Sequence, residues 1–198
     1  MKLEQLLEGV PFTLVQGSLD TEIADIIYDS RKAAPGLLFV CIVGTQRDSH
    51  TFAADCAAKG VSALVIQHDI DLSTLPGVTV VKVESSRYAM ALMSANLFGN
   101  PARQMTMIGV TGTKGKTTTT HMIKSVLEAA GRKVHLGGNI GAALLPMLPE
   151  VAPEDVAVVE LSSFQLISMH SSPNIAVVTN VTPNHLDHHK DMQEYIDA

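Results

Sequence analysis

One stretch, Met107-Ile108-Gly109-Val110-Thr111-Gly112-Thr113-Lys114-Gly115-Lys116-Thr117-Thr118, leaves few folds open to this chain. Met107 to Val110 is a short apolar run of the kind that forms a buried strand. Lys116 to Ala130 has helical spacing, with Met122, Ile123, Val126, Leu127 and Ala130 expected on the inward face and Gly131 placed to cap the end. Strand, glycine loop, Lys-Thr, helix is the layout of a phosphate-binding loop. Gly112 and Gly115 let the backbone turn and come close to a ligand, because no Cβ stands in the way. Backbone N–H groups at the helix start then face an anion, aided by the positive end of the helix dipole. Lys116 is spaced to reach the β- and γ-phosphates, and the Thr117 hydroxyl to ligate Mg²⁺, with Thr113, Lys114 and Thr118 completing the loop. The general pattern G-x-x-x-x-G-K-[ST] begins on Gly, where this chain has Val110. A glycine turn without a ligand is the plainer alternative; the strand before and the helix after favour ATP with Mg²⁺.

Length and charge narrow the class. A chain of 198 residues can bury a core and hold one or two domains. Lys plus Arg number 14 against 20 Asp plus Glu, a net charge of −6, which argues against non-specific nucleic-acid binding and against an anionic membrane surface. No apolar run is long enough to span a bilayer, and Met1 to Glu8 carries acids inside its apolar pattern, unlike a signal peptide. Cys41 and Cys56 fall in apolar elements and read as core thiols of a cytoplasmic protein.

Residues 1–104 read as one α/β domain. Leu3, Leu6 and Leu7 mark a short helix; Ile23 to Tyr28, Leu37 to Val43, Ser62 to Ile66 and Val78 to Val83 read as strands. Thr51 to Lys59 reads as a helix ending at Gly60, and Ser85 or Ser86 caps a helix to Phe98 with Ala89, Leu92, Met93 and Leu97 inward. Gly99-Asn100-Pro101 breaks the chain ahead of a second domain, 105–198. There the order strand, loop, helix repeats, which predicts a parallel sheet with helices on its faces. Its further strands are Lys133 to Leu136, Val156 to Glu160 and Ile175 to Asn180, with helical character over Ser162 to Met169 and from about Asp191. Ligands of such sheets bind beyond the carboxyl ends of the strands, where the phosphate loop, Gly137 to Gly141, Glu160 and Asn180 to His185 all fall.

Glu160 closes an apolar strand, where a carboxylate can hold Mg²⁺ against phosphates; a capping or surface role is the alternative. His185, His188 and His189 with Asp187 lack the spacing of a zinc site, so one His near Mg²⁺ or substrate is the better expectation. Gly137 to Gly141 can cradle an anion, with Asn139 reaching a ligand, or simply make a tight turn.

Thr111-Gly112-Thr113-Lys114-Gly115-Lys116-Thr117-Thr118 resembles the phosphate loop of the Mur ligases, ATP-dependent enzymes that add amino acids to peptidoglycan precursors, and this resemblance accounts for Val110. Asp29-Ser30-Arg31, Pro35 to Val40 and Gly44 resemble the UDP-binding first domain of the tripeptide-forming members, which add lysine or diaminopimelate to UDP-MurNAc-L-Ala-D-Glu. The resemblance implies that Tyr28, Ser30, Thr45 and Gln46 line a uridine pocket. Gly137 to Gly141 and Glu160 to Leu166, by contrast, are similar to the D-glutamate-adding member, while Asn180 to His189 is common to both types. Ser168 and His170 stand where the tripeptide-forming enzymes carry Gln and Arg.

The resemblance implies phosphorylation of the acceptor carboxylate by ATP, then attack of a free amino acid on the acyl phosphate. Lys116 would stabilise the transferring phosphoryl group, Thr117 and Glu160 would hold one Mg²⁺ and His185 a second, and Asn139 and Ser162 would meet the UDP-MurNAc-peptide. The family's carbamylated lysine and C-terminal domain would fall beyond Ala198, so a piece of a longer ligase, without turnover by itself, is expected. D-glutamate addition and a non-catalytic precursor-binding paralogue are the alternatives.

Overall fold

The computed structural model describes residues 1–44, 47–140, 144–167, 169, 171–183 and 191–197. The chain divides into two compact α/β units, Met1–Asn100 and Pro101–Ala198.

The first unit holds a five-stranded sheet of order β1-β5-β4-β3-β2, built from β1 (Phe12–Gln16), β2 (Asp25–Ile27), β3 (Leu37–Val40), β4 (Ala63–Ile66) and β5 (Thr79–Val83). β2 to β5 run parallel, and β1 joins the edge antiparallel to β5. β3 and β4 are apolar at every position because both of their faces are covered, while β5 also carries Thr79 and Lys82. Leu38, Val40, Ala63 and Val65 pack with α1 (Leu3–Leu6) and α3 (Ser86–Leu97), while Phe39, Leu64, Ile66 and Val80 pack with α2 (Ala53–Ala58). Ser85 caps α3 through its side chain, and Ala89 and Met93 are fully buried, as the spacing predicts. Cys41 and Cys56 are buried free thiols, again as expected. Several bounds are corrected. β2 and β3 are shorter than their apolar runs, and the helix expected from Thr51 begins as a 3-10 turn over Ser49–Phe52. No strand is expected at β1, whose Phe12, Leu14 and Val15 are exposed; an edge strand with no buried face leaves no alternating pattern to read.

The second unit holds a parallel four-stranded sheet of order β7-β8-β6-β9, from β6 (Thr106–Thr111), β7 (Val134–Gly138), β8 (Val156–Glu160) and β9 (Ile175–Val178). α4 (Lys116–Ala129) covers one face through Ile123 and Leu127. The expected inward face holds for Ile123 and Leu127 but not for Met122, Val126 and Ala130. Met122 is 64% and Val126 68% exposed and Ala130 is exposed, whereas Thr120 is fully buried, its hydroxyl donating to the Lys116 carbonyl at 2.7 Å. Two adjacent apolar stripes compete on this helix, and the sheet contacts only one. Gly137 and Gly138 belong to β7 rather than to a loop, and α5 is the short turn Ser163–Leu166, not a helix to Met169. α6 follows over Met192–Asp197. At the amino end of this sheet, away from the phosphate loop, buried Asp155 accepts from His135 Nε2 at 2.7 Å and from the Ala152 amide at 3.0 Å. Among the described residues no helix is long and apolar enough to cross a membrane.

Candidate active site

β6 lies between β8 and β9, and the chain crosses it between those two strands. The crevice at its carboxyl end is therefore a switch point of the kind where ligands of open α/β sheets sit. Gly112 follows β6 at φ +123° and Gly115 precedes α4 at φ +83°, both in backbone regions that favour glycine. A Cβ on Gly112 would collide with the Thr179 hydroxyl and lie 2.7 Å from the Asn180 carbonyl, so the loop after β9 occupies the space that a side chain would need.

Strand register brings Glu160 to the loop. It pairs with Val110 of β6 on one side and Gly138 of β7 on the other. Its carboxylate, 3% exposed, accepts from the Thr117 hydroxyl at 2.7 Å and from the Asn139 amide at 3.4 Å. Asn139 is held in turn by its own N–H, which donates to the Glu160 carbonyl at 2.9 Å. Among the described residues no Lys or Arg pairs with this carboxylate. A buried carboxylate met only by neutral donors fits a cation site, since buried charges are otherwise costly. The Thr117 hydroxyl and Glu160 form the hard oxygen set that suits Mg²⁺.

Lys116 curls back, its ammonium donating to the Gly112 carbonyl at 2.7 Å. The backbone amides of Thr113 and Lys114 are taken up by the loop after β9. The Thr113 N–H donates to the Asn180 carbonyl at 2.9 Å, and the Lys114 N–H to Asn180 Oδ1 at 3.0 Å. The Thr113 hydroxyl, buried, donates to the Thr182 carbonyl and accepts from the Thr182 N–H, both at 2.9 Å. The first intrahelical bond is Thr119 N–H to the Gly115 carbonyl. The amides of Gly115, Lys116, Thr117 and Thr118 thus have no acceptor among the described residues, and three of them are the donors that a helix start leaves over. Thr117 and Thr118 are exposed in that first turn. The sequence placed Asn180 to His185 at this end of the sheet, but not the hydrogen bonds by which Thr179, Asn180 and Thr182 hold the phosphate loop; the available signal was the polar pair Thr179-Asn180 ending an apolar strand.

Ser162 caps α5. Its hydroxyl accepts from the Gln165 amide at 3.3 Å and pairs with Gln165 Oε1 at 3.0 Å, which also accepts from the Ser162 N–H at 2.9 Å. This is a reciprocal capping box, so Ser162 has a structural role whether or not it meets a substrate. His185, with the rest of Asn184 to Lys190, lies outside the described residues, as do Gly141, Ser168, His170, Thr45 and Gln46.

In the first unit Tyr28 and Ser30 follow β2 at its carboxyl end. Tyr28 is 66% exposed, and Ser30 opens a 3-10 turn whose carbonyl accepts from Lys59 Nζ at 2.9 Å. The Arg31 guanidinium forks onto Asp29 and holds its carboxyl down at about 2. Beyond β3 and β4 lies a cluster that sequence reasoning did not assemble, Asp48, His50 and His68. Asp48 bonds His50 Nδ1 at 2.5 Å and His68 Nε2 at 2.7 Å, and the two rings stack with centroids 3.8 Å apart. The Gln67 N–H donates to His50 Nε2 at 2.9 Å, so the His50 proton sits on Nδ1 and faces Asp48. A nitrogen that carries a proton has no lone pair for a metal, and the cluster reads as a hydrogen-bonded brace between two loops.

Fold and site together define an α/β protein whose second unit carries a phosphate-binding loop. The Mur ligase middle domain family matches residues 110–198. The chain is 39% identical, over 100% of its length and 44% of the relative's, to UDP-N-acetylmuramoyl-L-alanyl-D-glutamate–2,6-diaminopimelate ligase of Alkaliphilus metalliredigens. It is 35% identical to the protein of the same name from Syntrophomonas wolfei, over 98% of this chain and 44% of that one. A crystal structure of MurF from Acinetobacter baumannii superposes with a TM-score of 0.68 at 25% identity, over 100% of this chain and 44% of that one. The chain belongs to the Mur ligase family. It spans less than half the length of the curated relatives it matches.

Proposed function

We propose that this chain serves an ATP-dependent ligase that adds an amino acid to UDP-MurNAc-L-Ala-D-Glu in the cytoplasm, its first unit, Met1–Asn100, holding the UDP-precursor and its second, Pro101–Ala198, the nucleotide. The observation that carries the reading is the Thr117–Glu160 oxygen pair beneath the phosphate loop. The names of the relatives support diaminopimelate as the incoming amino acid.

In this reading the Gly115 to Thr118 amides take the β-phosphate, and Lys116 leaves the Gly112 carbonyl to neutralise charge on the transferring phosphoryl group. Thr117 and Glu160 would hold Mg²⁺, which would supply neutralisation of phosphate charge. An acceptor carboxylate oxygen attacks the γ-phosphorus and ADP leaves. The amine then attacks the acyl carbon, phosphate leaves with the bonding pair, and the amine loses a proton. Asn139, whose side chain donates to Glu160, orients the acceptor in this reading. By family resemblance His185 adds a second metal ligand, Ser162 an acceptor contact, and Tyr28, Ser30, Thr45 and Gln46 the uridine pocket.

The D-glutamate-adding alternative drew on Glu160 to Leu166. Capping of α5 by Ser162 and Gln165 gives that segment a local reason to carry Ser and Gln, which favours the tripeptide step. The test is phosphate release by the full-length ligase with Mg–ATP and two acceptor pairs. Turnover with UDP-MurNAc-L-Ala-D-Glu and diaminopimelate supports the reading. Turnover only with UDP-MurNAc-L-Ala and D-glutamate replaces it with the alternative, and silence with both favours a non-catalytic binding role.

A further inference from the structure

We propose that Asn180 is a positioning residue of the phosphate loop, one that selects which loop amides a nucleotide meets; the proposal rests on the nucleotide-binding reading above. One residue makes three bonds to two consecutive loop residues. Its Oδ1 accepts from the Lys114 N–H at 3.0 Å, its Nδ2 donates to the Lys114 carbonyl at 3.0 Å, and its own carbonyl accepts from the Thr113 N–H at 2.9 Å. The Lys114 peptide is therefore bracketed from both ends by a single side-chain amide. Thr179 adds to the bracket, its hydroxyl donating to the Lys114 carbonyl at 2.7 Å.

Two consequences follow from donor counting. The Thr113 and Lys114 amides are occupied by protein, so an incoming phosphate is met from Gly115 onward, at the helix start where free donors and the dipole coincide. The Lys114 carbonyl is turned towards Asn180 and Thr179, which keeps its partial negative charge directed at donors instead of at an anion. The Thr113 amide is held by the Asn180 backbone carbonyl, but holding the Lys114 N–H and carbonyl together requires a side chain with one donor and one acceptor at this reach, which Asn has. Asp offers acceptors only and brings negative charge beside a phosphate site; Ala offers neither. Gly112 belongs to the same device, because the closeness of Asn180 to the loop leaves no room for a Cβ there.

The experiment measures Mg–ADP affinity by calorimetry on the 198-residue chain and on Asn180→Ala, Asn180→Asp and Lys116→Ala, with melting temperatures taken without nucleotide. Backbone hydrogen exchange of the unliganded wild type is followed at Lys114 and Thr113. Expected are protected Lys114 and Thr113 amides, an affinity about tenfold lower in both Asn180 variants, as loss of one to two modest hydrogen bonds implies, and melting temperatures within a few degrees of wild type. Unchanged affinity in either Asn180 variant, or unprotected exchange at Lys114 in wild type, overturns the proposal. If a variant fails to fold, the exchange measurement still decides. Absence of Mg–ADP binding in wild type, or binding unaffected by Lys116→Ala, overturns the nucleotide reading and the proposal with it. Lys116-sensitive but Asn180-insensitive binding overturns the proposal alone.

Discussion

The Thr117 hydroxyl, in the first turn of the helix after the phosphate loop, donates to Glu160 Oε2 at 2.7 Å, although 43 positions separate the two residues in the chain. Glu160→Gln keeps the shape and can still accept this bond, but it removes the anionic oxygen. Mg–ADP affinity is expected to fall about tenfold to a hundredfold, by analogy with loss of a charged hydrogen-bond partner, while metal-free ADP binds nearly as before. Titration with and without Mg²⁺ checks this; equal losses in both conditions would remove the metal role from Glu160.

Gly138 and Gly115 predict opposite severities. Gly138 has φ +100°, and a Cβ there would run into the Glu160 carbonyl, whereas Gly115 at φ +83° has nothing within 4 Å. Gly138→Ala is expected to destabilise the second unit by about 1–3 kcal/mol and to displace Glu160. Gly115→Ala should cost only the left-handed backbone term, about 1–2 kcal/mol, and should leave Glu160 in place. Denaturant unfolding and the Mg²⁺ dependence of ADP binding separate the two.

Acid should weaken the second unit through Asp155. The His135 ring, then the Ala152 amide, hold its carboxyl at about 2 against an ordinary 3.8. A carboxyl lowered by folding contributes stability that is complete above its unfolded value and is lost as pH falls from about 3.8 through about 2. Asp155→Asn should therefore lower the melting temperature at neutral pH and flatten its decline between about pH 4 and pH 2. Melting curves across that range check it; parallel curves for the two proteins would refute the linkage.

Cys41 should resist alkylation in the folded chain. It is fully buried, and that burial pushes its thiol up to about 12, so almost no thiolate exists at neutral pH. Iodoacetamide labelling followed by mass spectrometry should modify Cys41 only once the first unit unfolds. Rapid labelling under native conditions would show that this core opens locally.

Turnover provides the last prediction. The 198-residue chain spans 44% of each of the two diaminopimelate ligases compared above and is expected to release no phosphate from Mg–ATP with acceptor and amino acid present. Measurable release would mean that these two units already hold a complete reaction centre.

Much of this was legible from local pattern. The apolar run before Gly112, the glycines at positive φ and the Lys-Thr at the start of a helix sit next to one another in the chain, and each depends on short-range sterics and hydrogen bonding that neighbouring residues settle among themselves. The same holds for Ser85 capping α3 and for Ala89 and Met93 facing inward. Glu160 at the end of β8 was readable because a carboxylate closing a run of valines is locally conspicuous.

What only the tertiary structure decided are relationships across the sheet. Which stripe of α4 turns inward, Ile123 and Leu127 rather than Met122 and Val126, depends on where the sheet lies. That Asn180 brackets Lys114, 66 positions earlier, depends on β9 lying beside β6 in the order β7-β8-β6-β9. Hydrogen bonds of this kind leave no periodicity in the chain, since their geometry comes from strand order and register, and these are set by the burial of whole strands together and not by any one segment.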